Sequence, residues 1–100
     1  MITHLVLMKF KPENKENVVA EAISRLYGMV GRVPSLRSLE AGKHVGAPDR
    51  AFDLGLVTRF DDLAGLSAYA TDPVHVAVKQ WLGLHLETSV VVDFASRADE

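Results

Sequence analysis

Histidine is the residue type in this sequence best suited to chemistry, and it occurs at four positions, His4, His44, His75 and His85. Imidazole titrates at about pH 6.5, so it can accept or donate a proton near neutrality. The histidines include no HxxxH pair of the kind that binds zinc on a helix, and the chain has no cysteine. No phosphate-binding glycine cluster, Ser-His-acid pattern or Walker motif occurs. We therefore expect neither a metal site nor nucleotide chemistry.

The composition is that of a globular protein. Of 100 residues, 48% are hydrophobic and 24% charged, which is enough apolar material for one core. We expect a single domain over residues 1–96 and a polar tail over residues 97–100. The net charge of −2, without a run of Lys or Arg, argues against a nucleic-acid partner. No apolar stretch approaches the roughly 20 residues that span a membrane, and the lack of cysteine fits a cytoplasmic location.

Four elements are predicted in the first part of the chain. Ile2–Phe10 is apolar or β-branched at both parities, which predicts a strand buried on both faces. Apolar residues at helical spacing over residues 18–30 predict an amphipathic helix. Leu36–Val45 and Phe52–Phe60 are predicted strands, and the turn-forming residues 46–50 join them as a hairpin.

The remaining part of the chain predicts two helical segments and a final strand. Asp61 or Asp62 is placed to cap a short helix that runs through Tyr69. Asp72-Pro73 restarts a helix, because Asp favours the N-cap and Pro the first helical position. Thr88–Phe94 contains a β-branched run that predicts the fourth strand. The helix that begins at Asp72-Pro73 is predicted to bury a stripe made of Val74, Ala77, Val78, Trp81 and Leu82.

The element order β-α-β-β-α-β predicts an α+β, ferredoxin-like fold, an antiparallel four-stranded sheet with its helices on one side. Two helices can cover only one face of this sheet. Ile2–Phe10, Leu54–Val57 and Val90–Phe94 nevertheless carry apolar residues at both parities. A lone monomer would expose a large apolar surface, so we expect a homodimer in which two sheets face each other as a dimeric α/β barrel.

Several stretches of the chain match one known family in the same order, and these are Ile2–Phe10, Val33–Leu36, Phe60–Leu63, Tyr69–His75 and Val91–Phe94. Through them the chain resembles the stress-responsive dimeric A/B-barrel (Dabb) family from Met1 to about Ala95. The resemblance implies a homodimer without an organic cofactor. Members of this family include stress-associated plant proteins and a polyketide cyclase that performs an aldol condensation with histidine and tyrosine side chains.

The same resemblance implies three site residues, which are His4 in the first strand, Tyr69 at the end of the short helix and His75 at the start of the next. All three residue types needed for the cyclase chemistry are present. The family pattern has a histidine before the proline, where this sequence has Asp72. Any role of that first histidine is therefore not transferred to this chain.

The predicted helix start places competing electrostatic effects on His75. In the first helical turn, the helix dipole and free amide groups favour the neutral ring, whereas the carboxylate of Asp72 favours the charged one. The sequence leaves the direction of the pKa shift open. A neutral ring could take a proton from a carbon next to a carbonyl while Tyr69 donates a hydrogen bond to the enolate. His4 shares a strand face with Val6 and could orient His75 across an apolar cleft.

Purely structural roles are the alternative for every one of these residues. The site histidines could be packing residues and Tyr69 a core aromatic. Trp81 is interpreted as core and His85 as a cap at the helix C-terminus, while His44 is expected to be exposed near the hairpin.

Three functional hypotheses follow. The first is a Dabb-type homodimer that binds a small apolar or carbonyl-bearing molecule between sheet and helices, with cofactor-free, polyketide-cyclase-like proton transfer. The second is a non-catalytic stress-protective or interaction dimer whose cleft is filled by side chains. The third is a dimeric barrel of the cofactor-free monooxygenase or haem-handling kind.

Overall fold

A computed structural model describes residues 1–47 and 49–97 of the chain. The predicted polar tail lies outside the described residues except for Arg97, and so does Pro48 of the predicted hairpin turn. The elements, in order, are β1 (Ile2–Phe10), α1 (Lys15–Tyr27), β2 (Ser38–Lys43), β3 (Leu54–Phe60), α2 (Leu63–Thr71), α3 (Pro73–His85) and β4 (Leu86–Ala95).

The four strands form one antiparallel sheet in the order β2-β3-β1-β4. This arrangement confirms the predicted ferredoxin-like fold, with the second connection divided into two helices, α2 and α3. The central strand β1 pairs with β3 on one side and with β4 on the other. Both termini of the motif therefore lie beside each other in the sheet.

Aspartate side chains start the two helices of the second connection, as predicted. Asp62 caps α2 by accepting a hydrogen bond from the amide of Gly65 at 2.9 Å. Asp72 caps α3 by accepting one from the amide of Val74 at 2.8 Å, and Pro73 follows as the first helical residue. These bonds satisfy amide groups that would otherwise lack partners at a helix start. The second cap places His75 in the first turn of α3.

The core lies between the sheet and the helices. Side chains of alternate residues in β1 and β3 point toward α1, α2 and α3, as the period of a strand requires. The buried apolar residues are Met8, Phe10, Val19, Ala22, Leu26, Met29, Val33, Leu54, Leu56, Phe60, Tyr69 and Leu82.

The predicted stripe of α3 needs one correction. Leu82 is buried, and Val74, Val78 and Trp81 pack against the core, but Ala77 is exposed. Position 77 lies toward the groove between α1 and α3, where Arg25 and Arg32 also contribute to the surface. The helix is thus less deeply seated on this side than its apolar spacing suggests.

The other face of the sheet carries an apolar surface that no helix of this chain covers. Leu5 pairs with Val57 on one side and Val92 on the other, so these three side chains share that face. Partly exposed apolar residues extend the surface along β1 and β4, with exposed fractions of 37% for Leu7, 48% for Val90, 51% for Val92 and 46% for Phe94. Within the described residues, no helix has the length and apolar character needed to cross a lipid bilayer.

Candidate functional site

Tyr69 and His75 form an aromatic stack at the junction of α2 and α3. Their ring centroids lie 3.9 Å apart with an interplanar angle of 30°. Tyr69 is only 2% exposed, and its other neighbour is Phe60, whose ring centroid lies 4.9 Å away. The two rings stack because α2 ends at Thr71 and α3 begins directly after the Asp72 cap. This arrangement brings the last turn of α2 against the first turn of α3.

His4 joins this stack from the sheet. It lies on the helix-facing side of β1, and its ring centroid is 6.1 Å from that of Tyr69 in an edge-to-face arrangement. The structure therefore brings together His4, Tyr69 and His75, the three residues that the sequence analysis singled out.

His4 also contacts a residue that sequence reasoning did not assign to the site. Its Nδ1 atom is in hydrogen-bonding contact with the Oδ1 atom of Asp93, its cross-strand partner in β4. The His4 side chain is 18% exposed, so it is held largely within the protein, while that of Asp93 is 40% exposed. The predicted sheet topology could have identified Asp93, because antiparallel pairing of the first and last strands places it directly opposite His4 on the same face.

These side chains line one cavity of about 370 Å³ between the sheet and the helices α2 and α3. Its size lies in the lower part of the range typical of small-molecule sites. Polar atoms come from His4, Tyr69, His75, Lys79 and Ser89, and the rest of the wall is largely apolar. The main apolar lining residues are Val6, Met8, Leu26, Leu56, Leu66, Val78, Leu82, Leu86 and Val91.

Burial settles the protonation question that the sequence left open for His75. Removal from solvent lowers the pKa of His75, and the positive charge of Lys79 acts in the same direction. The backbone carbonyl groups of Ala70 and Tyr69 oppose this shift without reversing it. Within the described residues, Nδ1 of His75 is buried and has no hydrogen-bond partner. At neutral pH the ring is thus an uncharged base.

Burial acts on Tyr69 in the opposite sense. It raises the pKa of the Tyr69 phenol to about 12, because the phenolate would lose its hydration. The hydroxyl group therefore stays protonated at neutral pH and can donate a hydrogen bond. An uncharged base stacked on a protonated phenol is suited to proton abstraction with stabilisation of a developing oxyanion.

The remaining aromatic residues lie outside this cavity. Trp81 packs against the core as predicted, with His85 at 4.5 Å and the guanidinium of Arg25 at 4.5 Å from its ring. His85 is the last residue of α3, but the cation that meets the final carbonyl groups is Lys11, which donates to the oxygen of Leu84 at 3.2 Å.

His44 is exposed, as predicted, and contacts the carbonyl of Ala47. Among residues 1–47 and 49–97, no three or more side chains of His, Cys, Asp or Glu lie together in a way that could hold a metal ion.

Comparison with known proteins identifies the family. The model of the stress-responsive A/B barrel domain matches residues 2–96. A dimeric protein of unknown function and ferredoxin-like fold from Bacteroides fragilis is 26% identical, with a TM-score of 0.86 and coverage of 95% of each chain. A dimeric ferredoxin-like protein of unknown function from Thermobifida fusca is 25% identical, with a TM-score of 0.86 and coverage of 95% of this chain and 90% of that one.

A hydroxynitrile lyase from Passiflora edulis shares the fold at 16% identity, with a TM-score of 0.80 and coverage of 96% of this chain and 94% of that one. No curated protein matches the sequence. Fold and comparisons together define an α+β protein of the ferredoxin-like class, and three of its structural neighbours are described as dimeric. The chain belongs to the stress-responsive A/B barrel (Dabb) domain family.

Proposed function

We propose that this chain, as a single domain over residues 1–96, forms a homodimer that binds a small apolar or carbonyl-bearing molecule in the cavity and moves a proton on it. The observation that carries the proposal is the stack of Tyr69 and His75 at an apolar cavity that also contains His4. The sheet forms one wall of this cavity, so a ligand in it lies between the sheet and the helices. The apolar face that pairs two copies is on the opposite side of the sheet.

His75 is the general base in this proposal. Its uncharged ring takes a proton from a carbon next to the carbonyl group of the ligand, the electron pair of the broken C–H bond forms a C=C bond, and the π pair of the carbonyl group moves onto its oxygen. Tyr69 donates a hydrogen bond to that oxygen, and return of the proton from His75 completes the cycle. A positioned base of this kind accelerates proton transfer by about 10²–10⁴-fold.

Asp93 and His4 form a positioning pair beside this base. An ionised carboxylate only accepts hydrogen bonds, so its contact with Nδ1 of His4 assigns the ring proton to that nitrogen. The other ring nitrogen of a neutral His4 is then an acceptor. This arrangement supports a role for His4 in orienting the ligand or the proton that His75 receives.

The non-catalytic alternative requires a cleft filled by side chains. A cavity of about 370 Å³ beside His75 instead favours binding of a molecule there. A hydroxynitrile lyase shares this architecture, so the scaffold can carry an enzyme active site.

Binding is tested with 2-octanone, an apolar ketone, in a titration followed by amide NMR shifts. We expect shifts at Ala70, Val78 and Ser89, which line or adjoin the cavity. Gly83 also lines the cavity, and a Cβ atom there would meet nothing within 4 Å, so Gly83→Phe should fill the cavity without disturbing the fold.

Gly83→Ala is the matched control, since it adds only a methyl group. We expect Gly83→Phe to abolish the shifts and Gly83→Ala to retain them. Shifts confined to the open sheet face, or binding that survives Gly83→Phe, would overturn the assignment of the site.

A further inference from the structure

Lys79 gives the cavity an electrostatic character that the proton-transfer proposal does not use. Lys79 lines the cavity and is exposed to solvent. Burial is the main cause that lowers the pKa of His75, and the charge of Lys79 adds to it, which places the ammonium within electrostatic reach of that ring. Four residues separate the two positions, about 6 Å along a helix axis.

Within residues 1–47 and 49–97, no carboxylate of the cavity wall balances this ammonium. Among the described residues, those that line the cavity include no Asp or Glu, and none of the ion pairs of this part of the chain involves Lys79. Asp93 is the nearby carboxylate on the sheet side, and it is engaged with His4. A ligand anion at the opening would therefore meet an uncompensated positive charge.

We propose that the cavity selects an anionic apolar molecule, a medium-chain carboxylate or keto acid, whose carboxylate binds Lys79 while its chain lies among the apolar side chains. This inference rests on the proposed binding function and names its ligand class. The apolar wall and the single ammonium complement the two ends of such a molecule. A keto acid whose carbonyl group lies several carbons from its carboxylate would span the helical turn between Lys79 and His75, with the carbonyl beside His75 and Tyr69.

The test compares two probes of equal size, octanoate and octanamide, by calorimetric titration near neutral pH and at low salt. We expect octanoate to bind the unmodified protein about fivefold more tightly than octanamide, as suits an ion pair at an exposed position. Lys79→Met should remove this preference, and Lys79→Arg should retain it. Raised salt should weaken the preference, because it screens exposed charges.

Lys43→Met is the matched control, because Lys43 is an exposed lysine that does not line this cavity. It should leave the preference unchanged. Equal affinities for the two probes, or a preference that survives Lys79→Met, would overturn the charge selection and leave the proposed function standing. If neither probe bound and 2-octanone gave no shifts at the cavity, the proposed function would fail as well.

Discussion

At the scale of residues, the protonation state of His75 is set by where its ring is buried. Burial lowers the pKa of His75, so the unfolded chain binds the proton more readily than the folded one. In the unfolded chain a histidine has a pKa of about 6.5. The stability that His75 contributes is therefore fully present above about pH 6.5 and is lost as the pH falls through the lower pKa of His75 in the folded protein.

A pH series of thermal melts checks this sign. The melting temperature of the unmodified protein should fall as the pH is lowered from about 6.5 toward the folded pKa of His75. His75→Gln should flatten this part of the curve, since the group that takes up the proton is gone. His44→Gln, at an exposed histidine outside the cavity, should leave the slope as it is. A slope that is equal in all three proteins would contradict the burial argument.

Asp93→Asn tests the positioning pair. The substitution keeps the size of the side chain but replaces the oxygens that can only accept hydrogen bonds with an amide that can also donate. We expect the tautomer of His4 to change, seen in the ¹⁵N shifts of its ring, and proton transfer to fall by less than in His75→Ala. Unchanged ring shifts would show that Asp93 does not fix His4.

The sequence predicted His4, Tyr69 and His75 but not Asp93 or the sign of the pKa shift. The first three residues were accessible because their types and order match a family pattern. Asp93 has its role only through the pairing of β1 with β4, which joins residues from opposite ends of the chain. The shift depends on the burial of one ring and on the charge of Lys79, neither of which can be obtained from spacing along the chain.

At the scale of elements, the break between α2 and α3 is what creates the site. The cap at Asp72 fixes the turn between Tyr69 and His75, and their rings stack across it. Local chemistry made this break predictable, because Asp at an N-cap followed by Pro at the first helical position is a strong helix start. The exposure of Ala77 was not predictable, because the spacing of apolar residues does not determine how closely a helix packs against its neighbours.

Asp72→Ala should remove the cap of α3. We expect a loss of about 1 kcal/mol in the free energy of unfolding, measured by chemical denaturation, because the amide of Val74 loses its acceptor. Asp72→Asn or Asp72→Ser should recover most of it. Asp62→Ala is the companion variant at α2, with a comparable loss expected. An unchanged stability in Asp72→Ala would mean that the cap does not hold this helix start.

At the scale of the whole molecule, the two faces of the sheet differ in what covers them. The helix-facing side forms the core and the cavity, and the other side leaves Leu7, Val90, Val92 and Phe94 partly exposed. Strands with apolar residues at both odd and even positions predicted this second apolar face from the sequence. Its partner cannot be read from one chain, although the related structures described as dimers support a second copy.

Two neighbouring substitutions in β4 test the dimer. Val92 lies on the open face beside Leu5, whereas Val91 lies on the opposite face and lines the cavity. Val92→Lys should convert a dimer into a monomer in sedimentation velocity, because it would bury an unpaired charge between the sheets. Val91→Lys should remain dimeric. A monomer in the unmodified protein, or equal effects of both variants, would contradict pairing through this face.

The central claim, that the cavity holds a base which removes a proton from a carbon next to a carbonyl, is tested most directly by hydrogen exchange into 2-octanone. The rate of deuterium uptake from D₂O at neutral pD can be followed by ¹H NMR. We predict uptake faster than in buffer with the unmodified protein, a reduction of about 100-fold in His75→Ala, and an unchanged rate in His44→Ala. Exchange no faster than in buffer, or equally fast in His75→Ala and the unmodified protein, would contradict the account.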